Sequence, residues 1–252
     1  MSPKSFSASR GSFLVAAAVA TVALSGLTNT ASASIIYQDN FTGSSGSPLN
    51  GTTPTTDTNR ATWTADSNWS ANGSVTVTSN SSQQYPSAHL PFVPSAGNVY
   101  TLSATLSPTT NWISIGFEGS SGSPWTAPSL AVYVVLTSGG YGRTIFNGGV
   151  YGSPIYSGVG KTAQVVLDTT GIDWTATTSY AGTVAYTVTY TGASGANPNP
   201  TGISMVNFND QQASGQVGSF SLTSTSVPEP TSLGLAAVGG LGMLLLKRRR
   251  TD

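Results

Sequence analysis

The feature that most limits this chain is a succession of short segments in which apolar and small or polar residues alternate, each closed by Gly, Pro, Asn or Ser. A period of two residues is the signature of a half-buried strand. Eleven such segments run through the middle of the chain: Ile35–Phe41, Ser74–Thr78, Val99–Leu106, Trp112–Glu118, Leu130–Thr137, Arg143–Phe146, Ala163–Asp168, Ile172–Thr177, Thr183–Tyr190, Ile203–Asn207 and Gln216–Thr223. In the run Thr183–Tyr190, Val184, Tyr186, Val188 and Tyr190 alternate with small or polar partners, as in an antiparallel strand with one face on a core. Asn147-Gly148-Gly149 separates two β-like runs, which is hairpin chemistry. No segment shows the 3.6-residue period of an amphipathic helix. Only 7% of residues are charged and Ser plus Thr make up roughly 30%, so helix formers are scarce. Turns every 10–15 residues or so then predict an all-β chain, an antiparallel β-sandwich or jelly roll.

Composition removes several chemistries. With no Cys there is no disulfide framework, zinc ribbon, thiol nucleophile or iron–sulfur cluster. The single His, His89, leaves almost no material for a histidine metal site or a His-based triad, and no G-x-S-x-G accompanies it, so a surface or edge histidine is expected. Nine basic residues balance nine acidic ones, and four of the basic ones fall in the last six residues, so nothing resembles a phosphate-binding stripe and no nucleic-acid partner is expected.

The two ends read as addresses. Lys4 and Arg10 precede the apolar run Phe13–Leu24, and Ala31 and Ala33 supply the small residues of a cleavage site, the order of a secretory signal peptide over residues 1–33. Sec machinery and signal peptidase are the expected partners, with the cut after Ala33. A domain over residues 34–226 would follow. At the far end, residues 227–252 join Pro228-Glu229-Pro230, an apolar stretch over 231–246 and the cluster Lys247, Arg248, Arg249 and Arg250. The prolines stop any preceding strand. About 16 residues make a helix of roughly 24 Å, short of a bilayer core of about 30 Å, and the arginines can snorkel to cover part of the gap. Four consecutive basic residues hold the C-terminus in the cytoplasm and leave the domain outside.

That order of Pro-Glu-Pro, Gly-rich apolar helix and Arg cluster resembles the PEP-CTERM sorting signal of bacteria. The resemblance implies a Gram-negative-type cell that makes exopolysaccharide, processing by an exosortase-type membrane protease near Pro228–Pro230, and transient residence in the inner membrane before release to the cell surface or extracellular matrix. It covers the tail and says nothing of the central domain. Within that domain, Tyr37–Pro54 with its Asp-x-Phe and Leu-Asn-Gly, the Trp-containing stretch Thr62–Trp69 and the terminal Gly215–Thr225 resemble concanavalin A-like lectin/glucanase (laminin-G-like) jelly rolls. The resemblance implies that the last strand lies near the first.

Glucanases of that group carry two or three carboxylates on one strand in an E-x-D-x-x-E-like run, and this chain has none. Glu118 is the one Glu before the tail, and a lone carboxylate at a loop entrance is expected to be solvated. Asp168 and Asp173 flank Thr-Thr-Gly-Ile and read as a turn whose Asp bonds its own backbone. No catalytic residue is expected. A calcium ion on Asp39, Asp57, Asp66 and loop carbonyls is a candidate, without EF-hand spacing. Trp112 and Trp174 fall inside strands and read as core. Trp125 and, in the Gly-rich loops over 139–160, Tyr141, Tyr151 and Tyr156 are the candidates for stacking on sugar rings. The expectation is an exported, non-catalytic β-sandwich that binds glycan, exopolysaccharide included, or serves structurally. The alternatives are a jelly-roll glycan hydrolase or lyase and a purely structural matrix protein.

Overall fold

The computed structural model describes residues 32–42, 46–77, 85–119, 131–190, 202–211 and 215–227, and every regular element among them is a strand. In chain order these are β1 (Ala33–Asp39), β2 (Ser47–Pro48), β3 (Thr56–Asp57), β4 (Thr64–Ala65), β5 (Trp69–Ala71) and β6 (Val75–Val77). There follow β7 (Ser87–Pro91), β8 (Asn98–Pro108), β9 (Trp112–Glu118), β10 (Val132–Thr137), β11 (Tyr141–Phe146) and β12 (Gly149–Tyr156). The last five are β13 (Lys161–Asp168), β14 (Trp174–Tyr180), β15 (Thr183–Tyr190), β16 (Met205–Asp210) and β17 (Gly215–Ser226). Each of the eleven expected segments overlaps a strand, with ends displaced by up to a few residues. The signal segment up to Ala31, Trp125, Pro228, Glu229, Pro230, the stretch 231–246 and Lys247–Arg250 lie outside the described residues. Ala33 opens β1.

The strands form two antiparallel sheets. One has ten strands in the order β15-β14-β13-β8-β17-β6-β5-β2, with β1 paired to β17 and β3. The other has seven in the order β12-β11-β10-β9-β16-β7-β4. The last strand, β17, pairs with the first, β1, from Ala33↔Thr225 to Asp39↔Phe220, as the jelly-roll resemblance implies. The Asn-Gly hairpin forms as expected, with Asn147 and Gly148 both at positive φ between Phe146 and Gly149, a type I′ turn matched to strand twist.

The core lies between the sheets, and period two fills it. From the seven-stranded sheet come Ile113, Ile115 and Phe117 of β9, Val132, Val134 and Leu136 of β10, and Val206 and Phe208 of β16; from the ten-stranded sheet come Leu102, Leu106, Val165 and Leu222. Trp63 sits in the middle, its ring 5.2 Å from those of both Phe208 and Phe220 and 6.0 Å from Phe41. The Asp-x-Phe and Trp motifs are physically one device. Asp39 is buried, its Oδ1 accepting from the Phe41 backbone N–H at 2.8 Å and its Oδ2 from Trp63 Nε1 at 2.8 Å. The Leu-Asn-Gly turn is bonded to the same stretch, Gly51 N donating to Trp63 O and Ala65 N to Asn50 Oδ1.

Candidate functional site

The core-facing parity of the seven-stranded sheet leaves a second set of side chains on its outer face. On β9 these are Trp112, Ser114, Gly116 and Glu118; on β10, Tyr133 and Val135; on β16, Asn207 and Asn209; on β7, His89. The register makes them neighbours: Asn207 lies opposite Gly116, Gly116 opposite Tyr133, and Met205 opposite Glu118. Because Gly116 has no side chain, the Tyr133 ring lies over it; a Cβ there would stand 2.4 Å from Tyr133 Cδ1 and 2.2 Å from Val132 O. Tyr133 thereby reaches β16, where Asn209 Nδ2 donates to its hydroxyl at 3.4 Å. Asn207 Nδ2 donates to Glu118 Oε2.

These four side chains form a buried polar cluster. Glu118 is 1% exposed, and Tyr133, Asn207 and Asn209 are no more so. The expectation of a solvated Glu118 is therefore wrong: the residue closes β9 opposite Met205 of β16, and its side chain is buried there. Burial penalises its charged form and raises its pKa to about 7, against the pull of hydrogen bonds from Tyr133 and Asn207. The same burial, then the neighbouring Glu118 carboxyl, pushes Tyr133 well above its ordinary value. His89 lies between Thr64 and Asn207 in the register, half-buried one strand in from the edge. Burial lowers its pKa, with Asp66 acting the other way.

Two clefts flank the cluster on this face. The first, of about 360 Å³, is lined by Tyr85, Trp112, Val135, Tyr141, Arg143 and Gln211 among others. Tyr85 stacks on Trp112 at 6.2 Å, the Arg143 guanidinium stands 4.7 Å from the Tyr141 ring centre, and Tyr156, 73% exposed, packs 5.5 Å from Tyr141. The second, of about 400 Å³, is lined by Arg60, Thr64, His89, Ser204 and Met205 among others.

The expected stacking residues are divided by the fold. Tyr141, Tyr151 and Tyr156 are not in loops but in the hairpin β11–β12, whose four Gly and Pro154 imitate loop composition. Tyr141 and Tyr156 share the outer face; Tyr151 turns the other way and meets Tyr186 of the opposite sheet at 5.4 Å. Trp174 is in the core as expected, but Trp112 belongs to a separate cluster on the outer face with Tyr133, Val135 and Ile145. Asp39, Asp57 and Asp66 do not form one ligand set: among the described residues no three acidic or histidine side chains are gathered. Asp39 is committed to Phe41 and Trp63, Asp57 accepts from Asn59 N, and Asp66 from Ser87 N. This donor pattern does not fit a calcium site. Asp168 accepts from the Thr170 N–H and hydroxyl, which is the turn read from the sequence. Asn207, Asn209, Tyr133 and Arg143 were not singled out by sequence; the signal was the polar parity of Met205–Asp210 beside Val206 and Phe208.

Residues 226–250 match the model of the PEP-CTERM protein-sorting motif. The tail is a PEP-CTERM sorting signal. The PEP-CTERM motif indicates export with transient membrane anchoring before surface or extracellular release, and it implies processing by an exosortase. No curated protein matches the chain. Among solved structures, an endo-1,3-β-glucanase from Streptomyces sioyaensis aligns with a TM-score of 0.56 at 16% identity, over 77% of this chain and 97% of that one. A Bauhinia forficata lectin in complex with GalNAc aligns at 0.44 and 14% identity, over 78% and 99% of the chains, and a Bacillus licheniformis β-glucanase at 0.43 and 10%, over 79% and 99%. The likeness to the Streptomyces sioyaensis structure shows the fold alone, an antiparallel β-sandwich of the jelly-roll kind, and fold by itself assigns no activity.

Proposed function

We propose that this exported jelly roll binds glycan, exopolysaccharide in particular, on the outer face of its seven-stranded sheet and does not cleave it. The observation that carries the reading is the first cleft, where the aromatic faces of Tyr85, Trp112 and Tyr141 stand beside the donors of Arg143 and the amide of Gln211. Flat apolar rings next to fixed polar groups suit sugar rings, which are apolar on their faces and polar at their rims. Each cleft also holds one guanidinium, and Arg60, Arg143 and Lys161 are the only basic residues between 34 and 226. That favours a polymer bearing carboxylate or sulfate groups. Export through Sec, with cleavage after Ala33, belongs to the same reading.

Hydrolysis has one observation in its favour, the Glu118 carboxyl with a pKa of about 7, suited to a general acid. Glycosidases pair such an acid with a second carboxylate about 5–9.5 Å away. By register Asp66 is three strands from β9, roughly 14 Å at ~4.8 Å per strand. Asp210 is five residues along β16 from the partner of Glu118, roughly 17 Å. Neither meets the requirement.

The test is retention of the full chain on an immobilised uronate polymer and on a neutral dextran. Wild type is expected to prefer the uronate polymer. Tyr141→Ala should weaken retention on both about threefold to tenfold, a stacking contact of about 0.5–1.5 kcal/mol, and Arg143→Gln should remove the preference. Retention unchanged in both variants, at unchanged stability, would refute this site.

A further inference from the structure

Three Asn-Gly steps occur in the chain, Asn50-Gly51, Asn72-Gly73 and Asn147-Gly148. Such a step is chemically labile, because a glycine nitrogen screened by no Cβ can close on the asparagine side-chain carbonyl. Exposure does not separate the three: each asparagine is exposed, and each glycine has a positive φ. The glycine nitrogen does. Gly51 N donates to Trp63 O at 2.8 Å and Gly73 N to Phe41 O at 2.8 Å, so both peptides are tied to another segment of the chain. Among the described residues no backbone carbonyl accepts from Gly148 N.

Ring closure requires that nitrogen to eclipse the asparagine Cβ, which is a demand on the backbone. A type I′ turn sets the first central ψ at about +30°, which holds the nitrogen away from the side chain. A type II′ turn keeps the first central φ at about +60° and takes ψ to about −120°, the eclipsed arrangement. Asn147, at φ 48°, already has the φ that both turns share. Only the peptide between Asn147 and Gly148 turns over in the change, and glycine at 148 accepts either sign of φ. The pairs Phe146↔Gly149 and Ile145↔Val150 stay as they are, and Asn147 N keeps Ala131 O at 3.3 Å. The same turnover at Gly51 or Gly73 first breaks a backbone hydrogen bond.

We propose that Asn147 is a site of spontaneous covalent modification in the folded protein. Gly148 N attacks Asn147 Cγ and loses its proton, the bond from Cγ to the amide nitrogen breaks, and ammonia leaves with that proton. Water then opens the cyclic imide at either carbonyl, giving aspartate or isoaspartate. Aspartate adds one negative charge at the tip of the hairpin. Isoaspartate routes the chain through the side-chain methylene, a longer path than a two-residue turn accommodates. Because β12 pairs only with β11, its hold on the sheet depends on that turn. This inference does not depend on glycan binding.

The test holds full-length protein for several days in mildly alkaline buffer, folded in one sample and in concentrated urea in another, and follows both by peptide mass spectrometry. Trypsin, cutting after Arg143 and Lys161, releases Thr144–Lys161, in which Asn147 is the one asparagine. In the folded sample that peptide is expected to take on the mass of an amide-to-acid exchange about fivefold faster, or more, than Asn50 and Asn72, the factor that one backbone hydrogen bond imposes. An isoaspartate-specific methyltransferase should label it. In urea the three sites should convert at similar rates. Conversion of Asn50 or Asn72 as fast as Asn147 in the folded protein would overturn the proposal. So would an Asn147 that keeps its amide in the fold while the urea sample converts, or a preference for Asn147 that is the same in urea.

Discussion

Between pH 5 and pH 8 the wild-type fold is expected to lose on the order of 2–3 kcal/mol that Glu118→Gln retains. The buried Glu118 carboxyl has a pKa of about 7 in the fold against 4.5 in a free side chain. A raised acid favours the protonated form, so its stabilising effect is present below pH 4.5 and is lost as the pH rises through 7. At about 1.4 kcal/mol per pH interval, the gap between those values sets the size of the loss. Glutamine keeps an oxygen for the Asn207 amide and has no proton to lose. His89, whose pKa is lowered, acts in the acid range in the opposite sense, and it is common to both proteins, so their difference isolates Glu118. Urea unfolding of the two proteins at pH 5 and pH 8, followed by tryptophan fluorescence, measures it. Parallel losses would mean that Glu118 is hydrated and ordinary.

Trp63→Ala is expected to cost about 3–5 kcal/mol, the usual range for removing a large buried aromatic. The ring touches Phe41, Phe208 and Phe220, which come from both sheets, so the cavity cannot collapse from one side alone. Trp63→Phe separates the two roles of the residue. It keeps much of the ring packing but removes the Nε1 donor to Asp39 Oδ2, leaving a buried carboxylate oxygen with no partner, at about 1–3 kcal/mol. Thermal melts of both variants decide the matter. A Trp63→Phe protein as stable as wild type would show that the Asp39–Trp63 bond adds nothing to the fold.

Much of this was legible because a strand writes its two faces into alternate positions. Trp112–Glu118 places Ile113, Ile115 and Phe117 on one side and Trp112, Ser114, Gly116 and Glu118 on the other. The same parity would have moved Trp112 out of the core, where its apolar neighbours alone suggested it belonged. What parity does not carry is register. Only the pairing of β9 with β10 and β16 brings Glu118, Tyr133, Asn207 and Asn209 together from three distant segments. β7 went unread because five residues ending in Pro91 make a weak strand signal. β12 is legible only at its start, as the run that follows the Asn-Gly turn, because Gly152 and Pro154 make the rest of it look like loop. Nor does an aspartate's place in the sequence say which donors the fold gives it: Asp39 accepts from the Phe41 N–H and from Trp63 Nε1.

Binding without cleavage on the outer face of the seven-stranded sheet can be tested in a single sample. Its most direct test incubates the full chain with a soluble uronate polysaccharide and follows, in one sample, the bound fraction and the appearance of new chain ends. Saturable binding that falls with Tyr141→Ala and Arg143→Gln is expected, with no new ends above buffer. New ends that vanish in Glu118→Gln would contradict it in favour of an enzyme, and the absence of binding by the folded protein would contradict it outright.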